Sequence, residues 1–586
     1  MRFAAINLVA RILAVASFIA PAPVLAADRP VTNKTQFSAV MPVVQPGDVI
    51  VWKDGIYNDQ STITFEPTNQ GTALAPITLR PETPGGVTFR GNSKLAIGGH
   101  HLVVTGFRFD NSSFTFSGSN TVVSVIDFRA SSTISRHAYD CRVTQCTIVN
   151  YDNPVTSDTS KWILMYGATN RFDHNFTSGK RTRGAVLVVE LNAPPDQIEA
   201  AHRIDHNVFA DRTPGPLLNE YETVRVGTSS YSDQNAHVIV DHNYFHQCSG
   251  EAEFVSNKSC ENTYRDNTFV ECAGSLTLRH GRGCLVEGNL FFGNNVTNSG
   301  GIRVCNQDHL IINNYLQDLA GTGYQAGLGL MDGTTPTTNS NPDLSGSYVQ
   351  VSNVVVAHNT MVNAAESVVY GVGKGGSGRT KAPRDCTLAA NILVATQSPI
   401  FTLTDTPTNI TYLSNLVWGA STGLSANPGL IAANPQLSAD VFGIQRPASG
   451  GPAAGTAATQ SLLSGDLLDL DGALRPLTGR DIGADQIGRG SRPVAPLSAT
   501  EVGPFWMQPT GPVIVYPALT SGGPVQLSIR APGTAWARLL AVERAPGPAG
   551  TWVQFGPINE ADDDGIFSVV DDPMGANQFY WRAFRQ

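Results

Sequence analysis

The sequence lacks the features that mark zinc-thiolate proteins, nucleic-acid binders and membrane-spanning proteins. Its eight cysteines include no CxxC pair, which argues against a zinc site. Charged residues make up only 15% of the 586 residues, and the net charge is −9. No overall basic surface therefore favours nucleic acid or an anionic membrane. Beyond the N-terminus no apolar run is long enough to span a bilayer, and the 57 glycines are typical of a soluble, turn-rich protein.

The first 26 residues have the pattern of a secretory signal peptide. Arg2 and Arg11 precede an apolar run over residues 12–20, and residues 24–26 form a small-x-small cleavage site. The apolar run is too short to cross a membrane. We therefore expect an exported protein, periplasmic or secreted, from which residues 1–26 are removed.

A degenerate repeat, an asparagine followed by one or two apolar residues, dominates residues 100–400. Between Asn243 and Asn314 the spacings are 24, 22 and 25 residues. Short β-branched runs separate the asparagines without any long helical pattern, which predicts a single-stranded parallel β-helix. The asparagines suit a turn, where this residue tolerates left-handed geometry and can stack in a ladder. Four cysteines from Cys248 to Cys284 recur every twelve residues, which favours stacked core side chains over disulfides.

The repeat indicates how the chain is divided. We expect the β-helix over residues 27–489, with residues 31–44 capping its open end and the repeat fading after about residue 430. Residues 490–504 are rich in Pro, Gly and Ser and predict a linker. Alternating runs over residues 505–586 predict a small antiparallel β-sandwich.

Two glutamates and three cations form the strongest chemical pattern. Glu251 and Glu253 are two residues apart, so on one strand they would share a face, outside the core. Adjacent carboxylates repel unless a cation lies between them, and Ca²⁺ is a suitable one. Lys258, Arg279 and Arg303 follow at steps of 21 and 24 residues. On a coil of that period they would form one column beside the acids.

This combination is suited to β-elimination of a uronic-acid polysaccharide. Neighbouring guanidinium groups lower the pKa of a lysine, and a neutral lysine is a competent general base. An arginine stabilises developing negative charge. A calcium ion that neutralises the substrate carboxylate makes the adjacent C5 proton more acidic.

At these residues the sequence resembles polysaccharide lyase family 6, the alginate lyase and chondroitinase B family. The matching segments include Asn-Glu-Tyr-Glu-Thr-Val-Arg-Val-Gly at 219–227, Gly-Glu-Ala-Glu at 250–253, Ser-Asn-Lys-Ser-Cys at 256–260, Leu-Arg-His-Gly at 278–281 and Gly-Ile-Arg at 301–303. The resemblance covers roughly residues 30–487. It implies a right-handed parallel β-helix and a Ca²⁺-assisted lyase that acts on an anionic polysaccharide.

The resemblance also implies a role for each site residue. Lys258 would be the base and Arg279 the acid. The metal ligands would be Asn219, Glu251 and Glu253. The substrate-binding residues would be Arg303, His280 and Arg225.

Alginate is the favoured substrate, and three alternatives stay open. A chondroitin or dermatan sulfate lyase would use the same site. A non-catalytic β-helix glycan-binding protein would bind without releasing product. A β-helix hydrolase would need paired aspartates, but Asp205 and Asp241 recur at the turn position and are interpreted as structural.

Overall fold

Parallel sheets wound in repeated turns form most of the protein. The computed structural model describes residues 26–111, 124–152, 159–193, 196–215, 219–335, 347–397, 399–459, 462–463, 467–488 and 493–508, together with seven strands between residues 514 and 585. The predicted signal peptide lies almost wholly outside the described residues and stays a prediction. Within the described residues no helix is long and apolar enough to cross a bilayer.

Most turns of the coil contribute one strand to each of three sheets, which contain 14, 14 and 12 strands. The first sheet contains Asp28–Val31, Val49–Trp52, Ile77–Pro81, Leu102–Thr105, Arg142–Thr144, Arg171–Asp173, Arg203–Asp205, Ile239–Asp241, Thr263–Arg265, Leu285–Glu287, Leu310–Ile312, Val355–Ala357, Thr387–Ala389 and Thr411–Leu413. The second contains Gly55–Asn58, Val87–Arg90, Arg108–Asp110, Thr147–Val149, Phe176–Ser178, Val208–Arg212, Tyr244–Cys248, Thr268–Val270, Leu290–Phe292, Tyr315–Gln317, Thr360–Val362, Ile392–Val394, Asn415–Trp418 and Leu430–Ala432. The third contains Ser61–Phe65, Ser93–Ile97, Ile126–Asp127, Ile163–Met165, Leu187–Val189, Val224–Gly227, Glu253–Lys258, Gly274–His280, Ser299–Val304, Leu328–Met331, Val368–Val372 and Phe401–Leu403.

Every pairing within the three sheets is parallel, which confirms the predicted parallel β-helix. One helix, Lys34–Val40, precedes the second turn, and short 3₁₀ segments occur at Ile134–Arg136, Ser229–Tyr231, Gly323–Gln325, Gly376–Gly378 and Phe505–Met507. Two short strand pairs accompany the coil: Gly99–His100 with Ala138–Tyr139, and Ser438–Ala439 with Gln445–Arg446. The last turn ends at Ala432, close to the predicted end of the repeat.

The helix Lys34–Val40 covers the open N-terminal end of the coil, as predicted. The side chain of Asn33 accepts a hydrogen bond from the Gln36 amide and so caps the first turn of this helix. Phe37 is fully buried, and its ring lies 5.3 Å from the ring of Trp52. The cap therefore shields the apolar interior of the first turns from water.

The interior is filled by columns of like side chains. Phe209, Phe245, Phe269 and Phe291 stack with ring centroids 4.6 to 4.9 Å apart. All eight cysteines lie in the described part of the chain, and each is buried with a free thiol. Burial raises the pKa of Cys146 and of Cys284 to about 12, so these thiols are inert core side chains, as predicted.

The repeating asparagines form a continuous ladder where the first sheet turns into the second. Along the ladder, an asparagine donates hydrogen bonds from its backbone amide and its side-chain amide to the Oδ1 atom of the asparagine one turn later. Asn243, for example, donates both to Asn267 Oδ1. The ladder is as predicted, but the left-handed residue is the one before the asparagine. For example, His242 has φ 53° and Asp266 has φ 54°.

The aspartates of the repeat are structural, as interpreted from the sequence. Asp205 accepts a hydrogen bond from Arg171 at 2.8 Å and lies 2.9 Å from the His206 ring nitrogen. Asp241 pairs in the same way with Arg203 and His242. These side chains lie at the corner of the coil and neutralise one another.

The segment predicted as a linker is in part packed against the coil. The Leu497 amide donates to Thr268 Oγ1 at 3.0 Å, and the Gly503 amide donates to the His206 carbonyl at 2.7 Å. Just beyond this segment, Phe505 packs against His174 with the ring centroids 4.6 Å apart and the rings tilted by 42°. These contacts make residues 493–508 a strap along the β-helix.

The C-terminal strands are antiparallel, as expected for residues 505–586. Ile514–Leu519, Val525–Arg530 and Ile566–Asp571 form one sheet. Leu539–Ala545, Val553–Gln554, Asn559–Glu560 and Tyr580–Arg585 form another. The domain limits derived from the sequence stay predictions.

Candidate active site on the third sheet

Four neighbouring strands of the third sheet, from Val224–Gly227 to Ser299–Val304, carry the candidate site on the face turned away from the core. Arg225, Ser256, Thr277 and Arg303 are paired in register across these turns. They alternate along their strands with residues of the hydrophobic core such as Val255 and Leu278. Arg225 and Arg303 therefore belong to one column of outward side chains.

The predicted single column of Lys258, Arg279 and Arg303 is wrong in its register. Lys258 pairs with Gly227 below and His280 above, while Asn257 pairs with Leu278. Arg279 is thus the extra residue of a β-bulge, which re-aims its side chain. The two arginines still converge, but they do so by contacting one carboxylate and not by stacking, while Lys258 pairs with Glu222.

That carboxylate is Glu253, at the start of its strand. Its Oε1 atom contacts Arg303 Nη2 and lies 3.5 Å from Arg279 Nη1, and its Oε2 accepts a hydrogen bond from Ser256 at 2.5 Å. Burial alone would raise the pKa of Glu253, but Arg303 and Arg279 outweigh it and lower this pKa to about 2. Glu253 is therefore ionised and holds the two arginines together.

Lys258 lies at the other end of the same strand with only 11% of its side chain exposed. Its Nζ atom is 3.6 Å from Glu222 Oε1. Burial lowers the pKa of Lys258, and Arg279 and Arg225 lower it further against the opposing effect of Glu222 and Glu253. The predicted direction is therefore confirmed, although burial rather than the arginines is the main cause. Gly227 makes room below, since a Cβ atom there would come 2.5 Å from the Lys258 carbonyl oxygen.

Arg279 stays protonated in this environment. Burial acts to lower its pKa, but Glu253 beside it raises the pKa above the ordinary arginine value. Its guanidinium also lies 5.6 Å from the ring centroid of Tyr348. Arg279 is consequently a fixed positive charge, with no tendency to lose its proton to solvent.

Glu222 is a site residue for which the sequence predicted no role. Its side chain is 1% exposed, and within the described residues its Oε2 atom has no hydrogen-bond partner. The only sequence signal for it was its place in the 219–227 segment. An unsatisfied, buried carboxylate oxygen this close to Lys258 indicates that Glu222 acts on the lysine or on a bound cation.

The proposed metal ligands are only partly assembled. Glu251 precedes the strand, contrary to expectation, and is half-buried. Burial and the nearby carboxylates of Glu222 and Glu253 raise the pKa of Glu251. Asn219 is exposed. In the described part of the chain no three acidic, histidine or cysteine side chains converge at metal-binding distance.

The donor chemistry nevertheless fits a hard cation. Glu251 has a raised pKa, and among the described residues the Oε2 atom of Glu222 has no hydrogen-bond partner although its Oε1 atom faces Lys258. A divalent ion with oxygen ligands would relieve both. Glu253 fits less well than expected, because Arg303 and Ser256 already engage its two oxygens.

The other two residues predicted to bind substrate lie at the edges of the cluster. Arg225 Nη2 is 3.5 Å from Glu190 Oε1, which also accepts a hydrogen bond from Lys161 at 2.7 Å. His280 is 1% exposed, and its ring lies 5.6 Å from that of Tyr348. Arg225 extends the cationic surface by one turn, whereas His280 is packed beneath the site.

The geometry is therefore a buried amine, two held guanidiniums and surplus carboxylates on the side of a parallel β-helix. Residues 31–450 match the sequence profile of chondroitinase B. The chain belongs to the chondroitinase B family. This family is polysaccharide lyase family 6, as the resemblance implied. Among proteins with curated functions, none matches the chain.

Solved structures of family members agree with this assignment. The family 6 alginate lyase AlyGC is 36% identical with a TM-score of 0.65, and the match covers 72% of this chain but only 55% of AlyGC. This chain thus corresponds to about half of that protein. A mannuronic acid specific family 6 lyase from human gut microbiota is 31% identical with a TM-score of 0.59, covering 67% and 86% of the two chains. A family 6 polysaccharide lyase from Pseudopedobacter saltans, at 22% identity and TM-score 0.60, shares the fold over 81% of this chain and 99% of its own.

Proposed function

We propose that this member of the chondroitinase B family cleaves a uronic-acid polysaccharide by β-elimination. The observation that supports this best is the environment of Lys258. Its amine is almost enclosed, burial lowers its pKa, and a protonated arginine lies on the next turn. A base with a lowered pKa beside a fixed cation is what removal of a proton next to a carboxylate requires.

In the proposed reaction, Arg303 binds the carboxylate of the uronate to be cleaved. Neutral Lys258 removes the C5 proton, and the electron pair of the C5–H bond forms the C4–C5 double bond as the C4–O bond breaks. The departing oxygen receives a proton through a water molecule that Arg279 orients. No water is consumed, so the product carries an unsaturated end.

Calcium is part of the proposal as a bound cofactor. Glu251 and Glu253, with Asn219, would hold it, and Glu222 offers a further carboxylate oxygen. When bound, calcium would neutralise the substrate carboxylate and lower the barrier to proton removal.

Alginate is the substrate we favour. Of the similar proteins at 30% identity or more, AlyGC is described as an alginate lyase and the gut microbial enzyme as mannuronic acid specific. Chondroitin or dermatan sulfate is the second candidate, because the matching profile is that of chondroitinase B. Export to the periplasm or medium, inferred from residues 1–26, would bring the enzyme to such polymers.

The test is incubation of the full chain with alginate and, separately, with dermatan sulfate in the presence of calcium. A rise in ultraviolet absorbance, with product masses that show no added water, would support the lyase. Lys258→Ala should abolish product, whereas Lys53→Ala, a change at an exposed lysine, should not. Added water would favour a hydrolase, and binding without product would favour a non-catalytic protein.

A further inference from the structure

Two tyrosines outside the coil lie against the two arginines of the site. Tyr324 follows the strand Ser299–Val304 by about one turn, and the guanidinium of Arg303 lies 5.2 Å from its ring centroid. Tyr348 comes from the next connection, after the strand Leu328–Met331, and the Arg279 guanidinium lies 5.6 Å from its ring centroid. These distances lie within the range of cation–π attraction, which is stronger where water is excluded.

A third arginine, Arg379, joins the two tyrosines. It is 8% exposed and belongs to the loop that follows Val368–Val372. Its Nη2 donates to the Tyr324 hydroxyl at 2.9 Å, and its guanidinium lies 5.3 Å from the Tyr348 ring. The Tyr348 ring is therefore within reach of both Arg279 and Arg379.

The loop that follows Val368–Val372 holds Arg379 against the two tyrosines. Arg379 Nε donates to the Gly373 carbonyl at 2.8 Å, which folds the loop back on itself. Gly373 has φ 75°, and a Cβ atom there would come 2.6 Å from the Tyr324 hydroxyl and 2.9 Å from Arg379 Nε. Only glycine suits this position, because a side chain would push the tyrosine and the arginine apart.

We infer that Arg379 is a positioning residue that sets Arg303 through Tyr324 and Arg279 through Tyr348. Arg379 contacts both tyrosines, and its proposed role is to hold them rather than to contact the reacting atoms. Through Tyr324, Arg379 fixes the position of Arg303, which would bind the substrate carboxylate. Through Tyr348, it fixes the position of Arg279, the cation beside the leaving oxygen. The inference rests on the proposed function of the site.

The contact through Tyr324 and the contact through Tyr348 predict different kinetic effects. Arg379→Gln releases both tyrosines, so we expect KM to rise about tenfold and kcat to fall severalfold. Tyr324→Phe keeps the ring but removes the hydroxyl that accepts from Arg379, so KM should rise about threefold with kcat nearly unchanged. Because Arg379 and Tyr324 act as one unit, the double variant should have a KM no higher than that of Arg379→Gln alone.

The experiment compares kcat and KM of the full-length wild type and variants on the polysaccharide that the wild type cleaves. Lys381→Gln is the matched control, since it removes a positive charge from an exposed position on the same loop. Thermal melting checks that each variant is folded. If Arg379→Gln does not fold, Tyr324→Phe still tests the link to Arg303.

The outcomes separate the inference from the function. Wild-type kinetics in Arg379→Gln or in Tyr324→Phe, or effects that multiply in the double variant, would overturn the positioning role and leave the lyase standing. An inactive wild type on every uronate polymer would overturn both.

Discussion

Replacing Glu222 by glutamine should shift the acidic limb of the pH–rate profile to lower pH. The proposed base is neutral Lys258, so kcat should rise as pH passes upward through the pKa of this amine. The Glu222 carboxylate favours the protonated amine and raises that pKa. Its removal leaves only Glu253 to oppose the effect of burial and the arginines on this pKa, so more of the lysine is neutral at any given pH.

The size of the shift follows from the 3.6 Å between Lys258 Nζ and Glu222 Oε1. Two unit charges at this distance attract by about 4.6 kcal/mol at an effective dielectric constant of about 20, and by about 1.2 kcal/mol at the value for bulk water. Since about 1.4 kcal/mol corresponds to one pKa unit, the limb should move by about 1 to 3 pH units. The pair is nearly buried, which favours the upper half of this range.

The assay is the initial rate of ultraviolet absorbance at saturating substrate, measured across pH for wild type and Glu222→Gln. Arg225→Gln should move the limb in the opposite direction, because Arg225 lowers the pKa of Lys258. Glu220→Gln is the matched control, since Glu220 is 36% exposed and pairs with Arg183 at 2.9 Å. An active Glu222→Gln enzyme whose limb stays in place or moves to higher pH would refute the assignment of Lys258 as base.

Three further outcomes are expected. Lys258→Ala should lower kcat by about 10²- to 10⁴-fold, the usual contribution of a general base, without a change in circular dichroism; a smaller loss would assign proton removal elsewhere. Chelation of calcium should reduce activity, and calorimetry should find weaker calcium binding in Glu251→Gln than in wild type; equal binding would exclude Glu251 as a ligand. Asn267→Ala should lower the free energy of unfolding by about 2 to 4 kcal/mol in urea titrations, because it leaves buried backbone groups of the ladder unpaired. Asn294→Ala, at an exposed turn, should lower it much less. Equal losses in the two variants would contradict the stabilising role of the ladder.

Features that repeat along the chain could be predicted from the sequence. The asparagine spacing indicated the coil and its ladder, because each turn meets its neighbours through the same local contacts. The twelve-residue step from Cys248 to Cys284 indicated stacked thiols for the same reason. The end of the repeat near residue 430 also matched the last strand pair.

Features that depend on a single irregularity could not be predicted in this way. Counting residues placed Lys258, Arg279 and Arg303 in one column, but one extra residue at Arg279 changes the register and turns the side chain toward Glu253. The same count placed Glu251 on the strand that begins at Glu253. The linker-like composition of residues 490–504 likewise gave no sign that the Gly503 amide donates to the His206 carbonyl.

The type of fold, the family and the residue types available for catalysis could be derived from the sequence alone, because they follow from periodic patterns and short motifs that each turn carries locally. The three-dimensional structure was needed to show which carboxylate contacts both arginines, that Glu222 faces Lys258, and that Arg379 contacts both Tyr324 and Tyr348. Charge pairing and burial depend on distances of a few ångströms between residues that are up to about a hundred positions apart in the sequence. Loops and bulges of irregular length set those distances, so residue spacing alone does not give them.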